Sequence, residues 1–234
     1  MADNNYTPPP FVERFQYKNC EQVNDPVTRK RVYVTPDGEK LPSVTTILSS
    51  TKDMTHLNEW KQRVGEENAK RITTEAAGVG TAMHSNLERF IAGIQRQPGN
   101  NPVHVQANQM ADVIIENGLA HMDEVWAMEQ ALYFPGLYSG TTDLVGVFKG
   151  EPAVCDYKQT NKPKKAEWVE DYYLQLTAYI MAHNEVYGSD IKRGVIFMCS
   201  RDFQYQQFEV TPDTFPKYQD MWLGKIEEYL NSNT

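Results

Sequence analysis

Residues 140–158, GTTDLVGVFKGEPAVCDYK, decide the fold. They read as a β-hairpin. Leu144 to Phe148 is the first strand, with Asp143 at its entrance, and Ala153 to Lys158 is the second. Lys149-Gly150-Glu151-Pro152 supplies the turn. Side chains in a strand alternate faces with period two, so Asp156 and Lys158 share one face and Cys155 and Tyr157 the other. Antiparallel pairing returns Asp143 to the level of Asp156. Two carboxylates that close repel unless a cation lies between them. Oxygen ligation with open positions suits magnesium or manganese. A solvated rim of strand-end charges would look the same in this stretch alone, so the partners must come from elsewhere in the chain.

The chain has 234 residues, enough for a full core, and one domain is expected over residues 31–234 with residues 1–30 as an N-terminal arm and extension. Composition is globular, and a formal net charge of −8 argues against bulk attraction to nucleic acid while leaving local basic patches free to bind it. From Lys158 to Lys165 there are four lysines and no acids. Cys20, Cys155 and Cys199 are scattered, cannot build a four-cysteine cluster, and suggest a reducing compartment. No run of about 18 apolar residues is present, so no membrane span is expected. The start of the chain lacks a signal-peptide core and an arginine-rich presequence.

Other segments supply candidate partners. Arg31–Thr35 reads as a strand. Ser43 caps a short helix that packs Val44, Ile47 and Leu48, or its hydroxyl and that of Thr45 meet a phosphate. Leu57 to Ala77 reads as a helix with Leu57, Trp60, Val64, Ala69 and Ile72 inward, and Gly78-Val79-Gly80-Thr81 breaks it. An amphipathic helix follows, with Met83, Leu87, Phe90, Ile91 and Ile94 at helical spacing. His84 lies in its first turns and Glu88 one turn on. His84 is either a packed histidine or a site residue. Val103 to Gly118 is helical, with Val105, Met110, Val113 and Ile114 available for packing. Val125 to Phe134 is a strand in which Glu129 and Ala131 oppose Met128, Gln130 and Leu132. A carboxylate there either reaches solvent or joins a metal cluster, because an unpaired buried charge is costly.

After the hairpin, Lys162, Lys164 and Lys165 form a solvated loop or a grip on phosphates. Trp168 to Tyr187 is a long helix with Trp168, Tyr172, Leu176, Ile180 and His183 on one face. Gln175 and Tyr179 are four apart and project together, either packing the helix or aiming two donors at the hairpin. Gly188 ends this helix. Gly194 to Ser200 is a central strand, Gln204 to Val210 its neighbour nearer an edge, and Thr211-Pro212 opens a helix packing Phe215, Tyr218, Trp222, Ile226 and Leu230.

The ordered motifs are Gly80-x-x-x-His84, Glu129, Gly140-x-x-Asp143, Asp156-Tyr157-Lys158 and Gln175-x-x-x-Tyr179. Together they resemble the RecB-like branch of the PD-(D/E)xK nucleases. The stretches LPSVTTIL, LNEW and GTAMH are similar to the group containing the mitochondrial genome maintenance exonuclease and its phage-encoded relatives. Thr142 stands where the superfamily's name has proline. The resemblance implies an α/β, restriction-endonuclease-like core, a mixed sheet flanked by helices. It implies a metal-dependent DNA exonuclease acting at single-stranded ends, in phage or genome DNA replication, recombination or degradation. The alternatives are a structure-specific endonuclease of the same fold and a non-catalytic DNA-binding or helicase-accessory module.

The implied cofactor is Mg2+ or Mn2+, with no iron–sulfur cluster. Asp143, Asp156, the Tyr157 carbonyl and His84 are the implied metal ligands, with Glu129 as a ligand or supporting acid. Lys158 would orient or deprotonate the attacking water, its pKa lowered by adjacent cations. Gln175, Tyr179, Lys162, Lys164, Lys165, Ser43 and Thr45 would hold DNA. The expected partners are single-stranded DNA and replication or recombination proteins, and the expected compartment is cytoplasm, that of a bacterial host for a phage protein.

Overall fold

The computed structural model describes residues 6–26, 31–96 and 99–232. A small antiparallel sheet comes first: β1 (Glu21–Asn24), β2 (Arg31–Val34) and β3 (Lys40–Pro42). The expected boundary at residue 30 falls inside this sheet, between β1 and β2. Helices α1 (Val44–Ser50), α2 (Thr55–Val64), α3 (Glu66–Ile91) and α4 (Pro102–Asn117) follow. The main sheet contains β4 (Met122–Phe134), β5 (Tyr138–Phe148), β6 (Glu151–Thr160), β7 (Arg193–Ser200) and β8 (Tyr205–Val210), in that spatial order. Helix α5 (Glu170–Tyr187) crosses from β6 to β7, and α6 (Phe215–Ser232) closes the chain. Only β6 and β7 run parallel within this sheet. The fold is α/β, a mixed five-stranded sheet flanked by helices, as expected. Among the described residues, no helix is long and apolar enough to cross a membrane.

Period-two alternation distributes the sheet's side chains between two cores. Leu144, Phe148, Cys155, Tyr157, Val195 and Phe197 pack with α3 and α4, through Met83, Leu87, Met110 and Ile114. Val145, Val154, Ile196 and Met198 pack on the other face with Leu176 and Ile180 of α5, Ile47 of α1 and Trp222 of α6. Four apolar residues expected inside are exposed: Leu57, Ile94, Val105 and Leu230. Each lies near an end of its helix or beyond it. Trp168 is also exposed, because it sits in a separate 3-10 turn (Ala166–Trp168) before α5.

The helix break is at Gly65, not at Gly78–Thr81. Gly65 has φ +84°, a conformation natural to glycine, and separates α2 from α3. Helix α3 runs unbroken through Gly78 and Gly80. A Cβ at Gly80 would lie 3.5 Å from Gln159 Cγ on β6, an ordinary contact, so α3 passes over β6 here. His84 is therefore deep within a long helix rather than in its first turns. The hairpin turn is tighter than expected: Lys149 and Gly150 make it, and Glu151 and Pro152 already belong to β6.

A third contact set ties the N-terminal segment to α5. Val125 N–H donates to Pro10 O at 2.9 Å, so residues 10–11 lie against β4. Phe15 and Tyr17 surround His183, which is fully buried. Tyr17 Oη lies 3.0 Å from His183 Nε2, and Ser189 Oγ lies 2.7 Å from Nδ1. No carboxylate is among these partners, and burial pushes the imidazole down to about 4. Between the ordinary histidine value and about 4, the unfolded chain takes up a proton that the folded chain refuses. Stability is therefore intact above pH 6.5 and falls as pH drops toward 4, by about 3 kcal/mol at 1.36 kcal/mol per pKa unit. Urea unfolding across pH 4.5–7 should show this acid loss, and His183→Asn should flatten it. An unchanged slope in that variant would place the loss elsewhere.

Candidate metal and active site

Strands β5 and β6 pair from Phe148–Glu151 as far as Leu144–Cys155 and then part. Asp143 occupies the opening. Its Oδ2 accepts from Tyr157 N–H at 2.6 Å, so a carboxylate replaces the backbone acceptor that the ladder no longer supplies. Its Oδ1 lies 3.5 Å from His84 Nδ1, and His84 Nε2 lies 3.0 Å from the Tyr157 carbonyl. Helix α3 passes over β6 at Gly80 and brings this imidazole, one turn later, over the strand end.

Glu129 completes a set. Ligand atoms of His84, Glu129 and Asp143 all lie within 4.8 Å of one another. Glu129 has φ +50°, rare for a non-glycine residue. It sits opposite Asp143, between the pairs Met128–Leu144 and Gln130–Thr142. The expected common face of Met128, Gln130 and Leu132 is broken at this residue: Met128 packs toward α3 and α4, and Leu132 toward α5. The left-handed backbone at Glu129 turns its carboxylate into the cleft. A cavity of about 450 Å³ opens there, lined by Gly80, Thr81, His84, Ser85, Glu88 and Glu129.

The remaining acid faces the other way. Asp156 is buried and ion-paired to Lys158, as their shared face requires. It is not part of the three-residue set. Lys158 Nζ also lies 5.0 Å over the Tyr172 ring of α5. Tyr172, Gln175 and Tyr179 form a row along α5, and Gln175 Nε2 donates to Tyr179 Oη at 3.0 Å. A Cβ at Gly140 would lie 2.7 Å from Tyr179 Cε1, which explains the glycine three residues before Asp143.

The electrostatics follow from burial opposed by neighbours. Burial pushes Asp143 up, but His84 and Lys158 outweigh it and hold the carboxyl below its usual range. Burial pushes Asp156 up to about 6, with Lys158 opposing and Asp143 adding. Desolvation in the cleft, then Asp143 and Glu88, push Glu129 up to about 7. Burial alone would lower His84, but Asp143 reverses this and raises it to about 9. Burial alone would also lower Lys158, but Asp156 and then Asp143 hold the ammonium charged and raise its pKa. The expected lowering of the Lys158 pKa is not met by the protein's own charges.

This cleft fits a divalent cation. Three acids, Asp143, Glu129 and Glu88, face one imidazole, and the cluster gains positive charge by raising the His84 pKa. An imidazole and carboxylates within reach of one another are consistent with a divalent metal site. The structure places Asp143, His84 and Glu129 together, with the Tyr157 carbonyl beside them. Asp156 and Lys158 form a neighbouring pair. Ser43 is buried, and its hydroxyl accepts from Thr46 N–H at 3.0 Å, so it caps α1. Its Oγ also meets Thr45 Oγ1 at 3.1 Å. Lys162 and Lys165 are exposed and Lys164 is half-buried beyond the end of β6. Sequence reasoning did not assign Tyr172 to the site. The available signal was its place three residues before Gln175, on the same helical row. Thr81 and Ser85 were passed over too, although they adjoin Gly80 and His84 on α3.

No family model matches the chain. It is similar to mitochondrial genome maintenance exonuclease 1 of Mus musculus, 29% identical over 202 residues covering 81% of this chain and 59% of the mouse protein. The Homo sapiens protein is 27% identical over 202 residues, covering 81% of this chain and 58% of its own. The chain thus spans about three fifths of the length of the curated relatives it matches. A crystal structure from Eubacterium rectale, named as a candidate exonuclease, superposes with a TM-score of 0.49 at 14% identity, covering 68% of this chain and 69% of that one. The curated relatives are thus of the group that the motifs resemble, and the chain is similar to mitochondrial genome maintenance exonuclease 1 over 81% of its length.

Manganese(II) should raise the thermal midpoint of the wild-type protein, since a ligand that binds only the folded state stabilises it. Asp143→Ala and His84→Ala should each abolish most of that rise. A full rise retained by both variants would put the ion at another place.

Proposed function

We propose that this chain is a metal-dependent DNA exonuclease that hydrolyses phosphodiester bonds at single-stranded ends. Residues 31–234 form its nuclease domain, and it acts in DNA replication, recombination or degradation. The observation that carries this reading is the parting of β5 and β6 around Asp143. It gathers His84, Glu129 and the Tyr157 carbonyl on one side and leaves the Asp156–Lys158 pair next to them. The homology is consistent with it, and the relatives carry the word exonuclease in their names.

Asp143, His84 and Glu129 would hold Mg2+ or Mn2+, with the Tyr157 carbonyl and Asp156 at the edge of the set. When bound, the ion supplies positive charge for the attacked phosphoryl group and the departing oxygen. The protein's own residues do the positioning. Lys158 is kept as an ammonium by Asp156, so it donates to the attacking water or to a phosphoryl oxygen and fixes its direction. Tyr172 confines that ammonium from the α5 side. Asp156, pushed up to about 6, takes up a proton more readily than an ordinary aspartate. Gln175 and Tyr179 support the floor beneath the two acids, and Lys162, Lys164 and Lys165 attract the strand.

Asp156→Ala and Lys158→Ala should each lower cleavage of a labelled single-stranded oligonucleotide by at least about 100-fold. Circular dichroism should be unchanged. Excess chelator should stop the wild-type reaction, and added magnesium or manganese should restore it. Near wild-type turnover by either variant defeats the assignment. Digestion of circular single strands would favour the endonuclease alternative. Binding without any cleavage would favour the non-catalytic one.

A further inference from the structure

Two loops leave the sheet side by side at the carboxyl ends of the parallel strands β6 and β7. Residues 161–165 follow β6, and residues 201–204 join β7 to β8. They are tied together: Arg201 N–H donates to Thr160 O at 2.9 Å, Lys164 N–H to Gln206 Oε1 at 2.7 Å, and Gln206 Nε2 to Lys164 O at 2.8 Å. Open α/β sheets bind ligands at this end of their parallel strands, and Lys158 lies two residues before the end of β6.

Each loop presents an exposed aromatic ring. Trp168, 59% exposed, sits in the 3-10 turn after the first loop, with Lys165 Nζ 5.4 Å over its ring. Phe203, 40% exposed, sits in the second loop with φ +62°. A bulky residue in a left-handed conformation is strained, and glycine would hold the same turn without penalty. The β7–β8 hairpin loop asks for a left-handed residue here, and the exposed apolar ring is what the turn does not require. Lys162 and Lys164 bring two ammonium groups to the first loop. Among the described residues, Lys162 and Lys164 make no ion pair. The nearby acids are engaged: Glu167 with Lys165, Glu75 with Arg201, and Asp202 with Ser200 and Gln204.

We propose that Trp168 and Phe203 form a base-stacking platform for single-stranded DNA approaching Lys158, with Lys162 and Lys164 against its phosphates. The proposal rests on the nuclease reading and names what holds the strand outside the reacting centre. Stacking on aromatic rings is sequence-tolerant and requires unpaired bases, since a duplex hides its base faces. Tyr172, one turn beyond Trp168 and in contact with Lys158, continues the track inward.

The test is fluorescence anisotropy in EDTA, with a labelled dT oligomer and an abasic oligomer of equal length. Wild type, Trp168→Ala and Phe203→Gly are compared. Each variant should weaken dT binding roughly 5- to 100-fold. Both should bind the abasic oligomer as wild type does. Phe203→Gly should also keep or raise the thermal midpoint, because strain is relieved as the platform is lost. Variants that bind dT within about twofold of wild type overturn the platform, as does an equal loss on the abasic oligomer. A wild type that cleaves DNA while its variants bind dT unchanged sinks this inference alone. A wild type that neither cleaves DNA nor binds dT sinks the nuclease reading with it.

Discussion

Negative charge is buried where β5 and β6 part, and the surrounding structure is arranged to answer it. Asp143 and Asp156 fall at one level of the hairpin, and both are buried. Each receives a different counter-charge. Asp143 takes His84 from α3 and a backbone N–H from β6, and Asp156 takes Lys158 from its own strand. A buried carboxylate without such partners costs several kcal/mol. The unbroken α3 carries His84 to Asp143, and the close approach of Tyr179 to Gly140 packs α5 beside the same strand.

The two acids thereby acquire different chemistry. His84 and Lys158 hold Asp143 ionised, whereas Asp156 stays poised near neutrality despite its lysine. Glu129, also near neutrality, is the acid that the cluster leaves least compensated. An added cation would relieve Glu129 and Asp143 together. In the protein's own balance of charge Lys158 is an ammonium, so its natural work is donation and orientation.

Much of this was legible because period two governs strands. Once Asp156 and Lys158 were placed on one face of β6, the register of a tight hairpin returned Asp143 to them. The α5 row of Gln175 and Tyr179 followed from helical spacing in the same way. Other features required knowledge of neighbours. Gly65 and Gly80 are the same residue type, yet one breaks a helix through its positive φ and the other lies inside a continuous helix that passes Gln159. Nothing local distinguishes them. Trp168 continues the helical stripe of α5 on paper, but a 3-10 turn intervenes and leaves the ring in water. The face exchange at Glu129 was hidden for the same reason, since alternation assumes that no residue leaves the extended region.

Among the described residues, three non-glycine positions have positive φ: Glu129, Lys149 and Phe203. Lys149 is a two-residue hairpin turn, where that conformation is ordinary. Phe203 ends the short loop of the β7–β8 hairpin, where its N–H donates to Ser200 O and a left-handed residue is also common, whereas Glu129 lies within a strand. Glu129 points a carboxylate into the cleft, and Phe203 holds an aromatic ring at the rim where β6 and β7 end. Positive φ at Glu129 is not asked for by a turn, so the strain there marks a side chain that the strand geometry does not need, opposite Asp143 in the cleft.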